Sequence, residues 1–280
     1  MVIIMSDSSS MLTVEEGEKI NVIINPLSVT IAEQSYLEQE QITSEEFLGL
    51  IEAGGLPTSS QPSVGETLSI YEKNCDQPLL NIAMSDGLSG TYQSAVGAVK
   101  CLEENKQKNV TVINSETLWA VQGYIVRKAA KLAEQGLSVE NILKKLAPSL
   151  ENNKSFLIPH DFDYLKRNGR LAPFAANVGG LLKLVPVMTP SKDGRKIEKY
   201  ALCRSVNLAF EAIAKNLKSL KVGADHLISI SHAGAPTLAK QAEEFFRNMF
   251  PQAEMEILLL SPVMITQGGP NCLAVQAVLK

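Results

Sequence analysis

The sequence predicts an α/β fold: a parallel sheet with helices on both faces, followed by a second α+β domain with a mixed or antiparallel sheet. Up to about residue 153, short apolar runs alternate with segments whose apolar residues repeat at helical spacing, which is typical of a parallel sheet covered by helices. Further on, Asp193-Gly194-Arg195 separates two strand-like runs, which indicates a hairpin. We therefore expect an N-terminal domain over 1–155 and a C-terminal domain over 156–280.

Short apolar runs mark the strands of the first half, which are predicted at 2–5, 22–24, 79–84 and 110–113. The segment after Asn25-Pro26 is rich in Glu and Gln, and we expect a loop there. Thr43-Ser44-Glu45-Glu46 is a capping box that begins one helix, and Ser63 with Glu66 caps the next. Later helices are predicted at 91–102, 118–132 and 138–146.

The second half mixes strands and helices without a regular alternation. Strands are predicted at 156–159, 184–189, 197–202, 227–231 and 254–260. Helices are predicted at 163–170, 171–184 and 208–217, after Pro236, and as a small terminal helix after Gly268-Gly269-Pro270.

Composition excludes several classes of function. The net charge is −4 and only 5% of residues are aromatic, so a nucleic-acid surface is not expected. The run at 2–5 is too short for a signal peptide, and no run reaches membrane-spanning length. We expect a cytoplasmic protein with only transient membrane contact. The three histidines lack metal-site spacing, so no metal site is expected. No cofactor is expected either.

The segment Ser85–Ser94 follows an apolar strand and precedes a helix. Gly87 and Gly90 allow a sharp turn, while Ser89 and Thr91 place hydroxyls beside free backbone N–H groups. Such a place suits an anion. Two other polar segments each allow two interpretations. The run 6–10 is either a solvated turn or a ligand loop at a strand end, and 57–63 is either a linker or part of a site.

Six segments occur in a characteristic order and spacing across essentially the whole chain. They are Ser6-Asp7-Ser8-Ser9, Thr58-Ser59-Ser60-Gln61-Pro62-Ser63, Gly87-Leu88-Ser89-Gly90-Thr91-Tyr92-Gln93-Ser94-Ala95, Tyr164-Leu165-Lys166-Arg167-Asn168-Gly169-Arg170, Ser231-His232-Ala233-Gly234-Ala235-Pro236 and Gly269-Pro270. Together they resemble the DegV family, which includes the fatty-acid-binding subunits of the bacterial fatty acid kinase. The resemblance implies that one long-chain fatty acid is buried between two domains. It also implies that the protein is not itself an enzyme, because a separate kinase subunit phosphorylates the bound carboxylate to an acyl phosphate.

The resemblance also implies site residues. The family's TSQPS motif falls on 59–63 with serine in place of its threonine, and its LSGTYQSA motif falls on 88–95 unchanged. Residues at these places bind the carboxylate in the family, so that role is expected of Ser59, Ser60, Ser89 and Thr91. Arg170 and Arg204 match arginines near the family's entrance, and Gln267 stands where a histidine is usual. We expect these three to contact the kinase or a phosphate.

A fatty acid makes two physical demands on its binding site. Its tail must leave water, and its carboxylate must not be buried without partners. Hydroxyls and backbone N–H groups meet the second demand without a salt bridge, and we expect this to leave a carboxylate oxygen available as a nucleophile. The apolar candidates for the tail channel are Leu171, Phe174, Val178, Leu181, Leu182 and Val187.

Two other functions remain open on the sequence. Gly87-Leu88-Ser89-Gly90 is similar to the GxSxG elbow of serine esterases, with Ser89 as nucleophile, but its second glycine comes one residue early. The same turn also suits a phosphorylated metabolite, although no nucleotide-binding GxxxxGK[ST] loop is present.

Overall fold

The structure is a computed structural model that describes residues 1–167, 169–172 and 184–280. The strands are β1 (Ile3–Asp7), β2 (Val22–Asn25), β3 (Ser28–Ile31), β4 (Gln34–Leu37), β5 (Thr58–Ser60), β6 (Leu79–Ala83), β7 (Val110–Asn114), β8 (Asn153–Ile158), β9 (Val185–Pro190), β10 (Ile197–Cys203), β11 (His226–His232), β12 (Glu254–Leu259) and β13 (Leu273–Leu279). The helices are α1 (Val14–Lys19), α2 (Ser44–Glu52), α3 (Val64–Asn74), α4 (Thr91–Cys101), α5 (Glu104–Gln107), α6 (Trp119–Glu134), α7 (Val139–Glu151), α8 (Phe162–Arg167), α9 (Val206–Ser219), α10 (Pro236–Met249) and α11 (Pro262–Gly268), with a 3-10 helix at Ser8–Ser10.

The first sheet has the order β2-β1-β6-β7, and all its strands are parallel, as predicted. Side chains alternate between its faces, as the pleat of a strand requires. Ile4 and Leu80 pack with α6 and α7 on one face. Met5 and Leu79 pack with α3 and α4 on the other face. The prediction of a parallel sheet with helices on both faces is therefore confirmed.

The second sheet has the order β10-β9-β8-β13-β11-β12 and is mixed, also as predicted. Only β11 and β12 pair in parallel, and the other neighbours run antiparallel. One face of the sheet packs against α9 and α10. On the other face, Leu227 and Val278 join the core formed by α6 and α7. These two helices consequently lie between the two sheets.

A third, small sheet is found where we expected a loop after Asn25-Pro26, so that expectation is wrong. The segment forms the hairpin β3–β4, and β5 pairs with the other edge of β3 to complete the order β4-β3-β5. β3 alternates half-buried and buried residues, but its pairing partner Ser59 is thirty residues away from Val29. This pairing cannot be inferred from the local composition of a Glu- and Gln-rich segment. The segment 57–63 is likewise no unstructured linker, since β5 lies within it.

The structure near the end of the chain differs from a second expectation. The predicted small terminal helix is instead the strand β13, which lies in the interior of the second sheet between β8 and β11. Residues 273–278 are all buried, so a segment with two alanines is held extended by its two neighbours. A short helix, α11, precedes this strand and was not predicted.

The strands of the first sheet end before residue 115, and those of the second begin at Asn153. The domain boundary at residue 155 remains a prediction. Most of the helix predicted at 171–184 lies outside the described residues. Within the described ranges, we find no helix with both the length and the apolar character needed to span a membrane.

Candidate functional site

A cavity of about 380 Å³ opens where the small third sheet, α11 and the turn after β6 meet. Its volume falls within the range of roughly 300–1,000 Å³ that is usual for small-molecule sites. Most of the wall is apolar, and polar side chains are contributed by β5, the β6–α4 turn, α11 and Arg170. The described lining residues are Leu27, Ser59, Ser60, Gln61, Met84, Leu88, Ser89, Leu118, Trp119, Leu157, Leu165, Arg170, Ile197, Val263, Met264, Gln267 and Gly268.

Ser59 is positioned by strand pairing and by one side-chain contact. It lies in β5 opposite Val29, and the Gln267 side chain of α11 donates a hydrogen bond of 2.8 Å from Nε2 to its Oγ. Because that N–H occupies a lone pair of the Ser59 hydroxyl, the O–H proton is directed toward another acceptor. Ser60 also lines the cavity and is exposed.

Ser89 and Thr91 lie at the turn between β6 and α4. Their hydroxyl oxygens are 2.8 Å apart, and the Thr91 backbone N–H donates to the Ser89 Oγ at 3.3 Å. Ser89 lines the cavity, whereas Thr91 is buried behind it and faces a small pocket of about 10 Å³ between α4 and the first sheet. The structure therefore brings Ser89 to the cavity directly and Thr91 only through Ser89.

The two glycines of this turn permit close packing on either side of Ser89. Gly87 has a φ of +91°, and a Cβ at this position would lie 2.7 Å from the Cβ of Arg195. A Cβ on Gly90 would lie 2.1 Å from the Oε1 of Gln61. The turn thus touches both the β9–β10 hairpin and the segment after β5, because neither glycine carries a side chain.

The two predicted arginines lie in different places. Arg170 is half-buried in the cavity wall, and its Nε donates to the Leu88 carbonyl oxygen at 3.4 Å, next to Ser89. Arg204 is exposed between β10 and α9 and is not among the lining residues. The structure therefore groups Arg170 and Gln267 with the cavity serines and leaves Arg204 outside that group.

The apolar wall contains a pair that sequence reasoning missed. Trp119 is buried at the start of α6 with a φ of +60°, a conformation that is rare for a bulky residue. Its indole N–H points to the sulfur of Met264 on α11. Of the predicted tail residues, Leu171 joins the core around the cavity, and Val187 packs on the α9–α10 face instead. Phe174, Val178, Leu181 and Leu182 lie outside the described residues.

Behind the cavity wall lies a buried polar network, also missed by sequence reasoning. Ser8 donates to the Glu38 carboxylate, and Asp7 accepts hydrogen bonds from Ser9 and Gln122. The run 6–10 is fully buried, which overturns its interpretation as a solvated turn. No local pattern distinguishes Glu38 from the other acids of its segment, because its burial depends on partners far away in sequence.

Three residues of the cavity wall are tied to this network through their backbone N–H groups. Leu27 donates to the Ser8 Oγ at 2.9 Å, Met84 to the Asp7 carboxylate at 2.9 Å and Val263 to the Glu38 carboxylate at 2.8 Å. Burial raises the pKa of Glu38 to about 7, opposed by the hydrogen bonds that its carboxylate accepts from Ser8 and Val263, and the nearby Asp7 raises it further. Burial also raises the pKa of Asp7, opposed by its hydrogen bonds.

The geometry does not assemble an esterase triad on Ser89. The described hydrogen bonds of the Ser89 side chain involve Thr91 alone. His160 is exposed, His226 pairs with Asp225, and the Nδ1 of His232 accepts from the Ala235 backbone N–H. Burial lowers the pKa of His232. Among the described residues, no cluster of three or more His, Cys, Asp or Glu side chains is arranged to hold a metal ion.

Comparisons with known proteins agree with one another. A family model described as an uncharacterised protein of the DegV family matches residues 1–280. A DegV domain-containing protein of Staphylococcus aureus strain N315 is 32% identical over 283 residues, covering 99% of both chains. A fatty-acid-binding DegV family protein from Thermus thermophilus superposes with a TM-score of 0.88 at 26% identity, covering 100% of this chain and 99% of its own. DegV from Bacillus subtilis, described as a fatty acid binding protein, gives a TM-score of 0.84 at 25% identity with the same coverage. The chain belongs to the DegV family.

Proposed function

We propose that this protein binds one long-chain fatty acid in the cavity and holds its carboxylate at Ser59, Ser60 and Ser89, with Thr91 supporting Ser89. The observation that carries the proposal is the combination in one cavity of an apolar wall with a hydroxyl cluster. Leu27, Met84 and Trp119 belong to the apolar part. An amphipathic ligand with a long apolar tail and a small anionic head matches both parts.

Burial of the ligand's tail against this apolar wall is energetically favourable. Each buried methylene contributes about 0.8 kcal/mol, so a sixteen-carbon chain gains roughly 11 kcal/mol before ordering costs. The carboxylate loses its hydrogen bonds to water on binding, so it needs hydrogen-bond donors from the protein. The Ser59 hydroxyl, whose lone pair already accepts from Gln267, is free to donate its proton.

The relatives support the same ligand class. The Thermus thermophilus and Bacillus subtilis proteins are both described as binding fatty acids, and both match this chain over its whole length. A DegV protein of Thermotoga maritima, at 26% identity and a TM-score of 0.84, is described as lipid binding. The agreement of three such relatives favours a fatty acid over a phosphorylated metabolite.

We further propose that the protein is a carrier that presents the bound acid to a separate kinase in the cytoplasm. One carboxylate oxygen would attack the terminal phosphorus of the kinase's nucleotide, forming an acyl phosphate as the nucleoside diphosphate leaves. Neutral hydroxyl donors leave electron density on that oxygen, which favours attack. The places of Arg170 and Gln267 in the cavity wall support a role in contacting the incoming phosphate, and the exposure of Arg204 supports a contact with the kinase.

The ligand assignment is tested on protein purified from a bacterial host. Native mass spectrometry should show one co-purifying fatty acid per chain, and calorimetry with oleate should give binding that Ser59→Ala and Ser89→Ala each weaken about tenfold. Ser69→Ala is the matched control, because Ser69 is exposed on α3. Unchanged affinity in both site variants would refute the head-group assignment, and binding of sugar phosphates instead of oleate would refute the ligand class.

The kinase step needs its own measurement. A bacterial fatty acid kinase catalytic subunit mixed with the loaded protein and ATP should form an acyl phosphate, trapped with hydroxylamine as the hydroxamate. Arg204→Ala should lower this turnover while oleate binding is unchanged. If the loaded protein yields no hydroxamate with any such kinase subunit, the carrier role is wrong even though fatty acid binding stands.

A further inference from the structure

Among the described residues, Glu38 is the buried acid whose carboxylate connects the small third sheet region with α11. It is only 1% exposed and follows β4, where its backbone N–H donates to the Leu27 carbonyl oxygen at 2.9 Å. One carboxylate oxygen accepts from Ser8, and the other accepts from the Val263 backbone N–H at 2.8 Å. Both oxygens are therefore engaged, each by a different part of the chain.

The contact with Val263 replaces a cap that α11 does not supply itself. The first backbone N–H groups of a helix have no partner within the helix. Ser261 occupies the N-cap position of α11, but its side chain makes no capping hydrogen bond, and Pro262 has no N–H. The acceptor comes instead from Glu38, 225 residues earlier in the chain. The position of α11 is thus fixed by a residue of the small sheet region.

The other end of α11 carries the head-group contact. Gln267 lies one turn beyond Val263 and donates to Ser59 of β5. Glu38 and Ser59 belong to the same small sheet region, because β5 and β4 both pair with β3. α11 is consequently held at both ends by that region: at its start by Glu38 and near its end by Ser59.

We propose that Glu38 is a positioning residue, which sets the place of α11 and thereby the Gln267–Ser59 hydrogen bond that directs the Ser59 hydroxyl into the cavity. This inference rests on the proposed binding of a fatty acid carboxylate at Ser59. Glu38 lies behind the wall residues Leu27 and Val263 and acts on the ligand only through them and through α11.

The variants differ in which contacts they keep. In Glu38→Gln, the side-chain oxygen still accepts from the Val263 backbone N–H, so the contact with α11 persists. Toward Ser8 the hydrogen bond reverses, with the amide N–H as donor and the Ser8 Oγ as acceptor. In Glu38→Ala both contacts are lost, and in Glu38→Asp the carboxylate is one methylene too short to make both. Glu40→Ala is the matched control, since Glu40 is exposed two residues away.

The measurement is the ratio of bound oleate to bound methyl oleate when both are offered in equal amounts, read by native mass spectrometry. The ester has no anionic head, so a general loss of folding lowers both species and leaves the ratio unchanged. We expect Glu38→Ala and Glu38→Asp to lower the ratio about tenfold. The ratios of Glu38→Gln and Glu40→Ala should stay within about threefold of the ratio of the wild-type protein. If Glu38→Ala does not fold, the ratio measured for Glu38→Asp tests the inference.

A double variant separates positioning from a merely structural role. In a Gln267→Ala background, Glu38→Ala should have no further effect on the ratio, because it acts through that side chain. An unaltered ratio in Glu38→Ala and Glu38→Asp, or full additivity with Gln267→Ala, would overturn the inference. If the unchanged chain binds neither lipid, the proposed function fails and the inference with it. Binding both lipids equally would refute the head-group assignment.

Discussion

Replacing Gly87 with alanine tests how closely the turn that carries Ser89 packs against the β9–β10 hairpin. Gly87 has a φ of +91°, and its added Cβ would lie 2.7 Å from the Cβ and 2.9 Å from the Cα of Arg195. The Cα belongs to the backbone, so the clash is not relieved by rotating a side chain. The hairpin is also held to the turn by the Asp86–Arg195 ion pair at 3.2 Å.

The expected cost has two parts. A left-handed backbone costs a residue with a Cβ about 1–2 kcal/mol, and overpacking adds about 1–3 kcal/mol. Gly136→Ala isolates the first part, because Gly136 has a φ of +80° with nothing within 4 Å of an added Cβ. We therefore expect Gly87→Ala to lower the free energy of unfolding by about 2–5 kcal/mol and Gly136→Ala by about 1–2 kcal/mol.

Urea unfolding of the two variants beside the unchanged chain provides the comparison, with calorimetry of oleate binding as a second readout. Gly87→Ala should also weaken oleate binding, because a shifted turn moves Ser89, while Gly136→Ala should leave affinity unchanged. Equal destabilisation by the two substitutions would contradict the close approach of Gly87 to Arg195. Full affinity in Gly87→Ala would contradict the role of this turn in holding the head group.

Two further predictions concern the buried polar groups. Since the pKa of Glu38 is raised from 4.5 to about 7 in the folded chain, its protonated form is favoured by folding, and this stabilisation is complete below pH 4.5 and lost as the pH rises through about 7. Glu38→Gln should therefore lower the difference between the free energies of unfolding at pH 5 and pH 8, measured with urea, by on the order of 2–3 kcal/mol relative to the wild-type protein; an equal pH dependence in both proteins would contradict the assignment. Tyr71→Phe should cost about 1–3 kcal/mol without changing oleate affinity, because the Asn81 side chain, which donates to the Tyr71 hydroxyl at 2.7 Å, is buried and neither residue lines the cavity. A change in thermal midpoint too small to measure would show that the hydrogen bond is replaced in the variant.

Features with local signals were predictable from the sequence. The capping boxes at Thr43 and Ser63 begin helices as expected, because both the hydroxyl and the glutamate that form the cap lie within four residues. The strand, turn and helix around Ser89 also follow from apolar periodicity and two glycines. For the candidate site, motif resemblance identified Ser59, Ser89, Arg170 and Gln267, all of which line one cavity.

The fold class and most of the polar residues of the cavity could thus be predicted from the sequence, because those signals are carried by neighbouring residues. The pairing of β3 with β5, the strand β13 near the end of the chain and the capping of α11 by Glu38 became visible in the three-dimensional arrangement alone. Each of these depends on a partner far away in the chain, and burial rather than local propensity selects it. A glutamate in a polar segment becomes a buried acceptor only when the fold brings Ser8 and Val263 to its two oxygens.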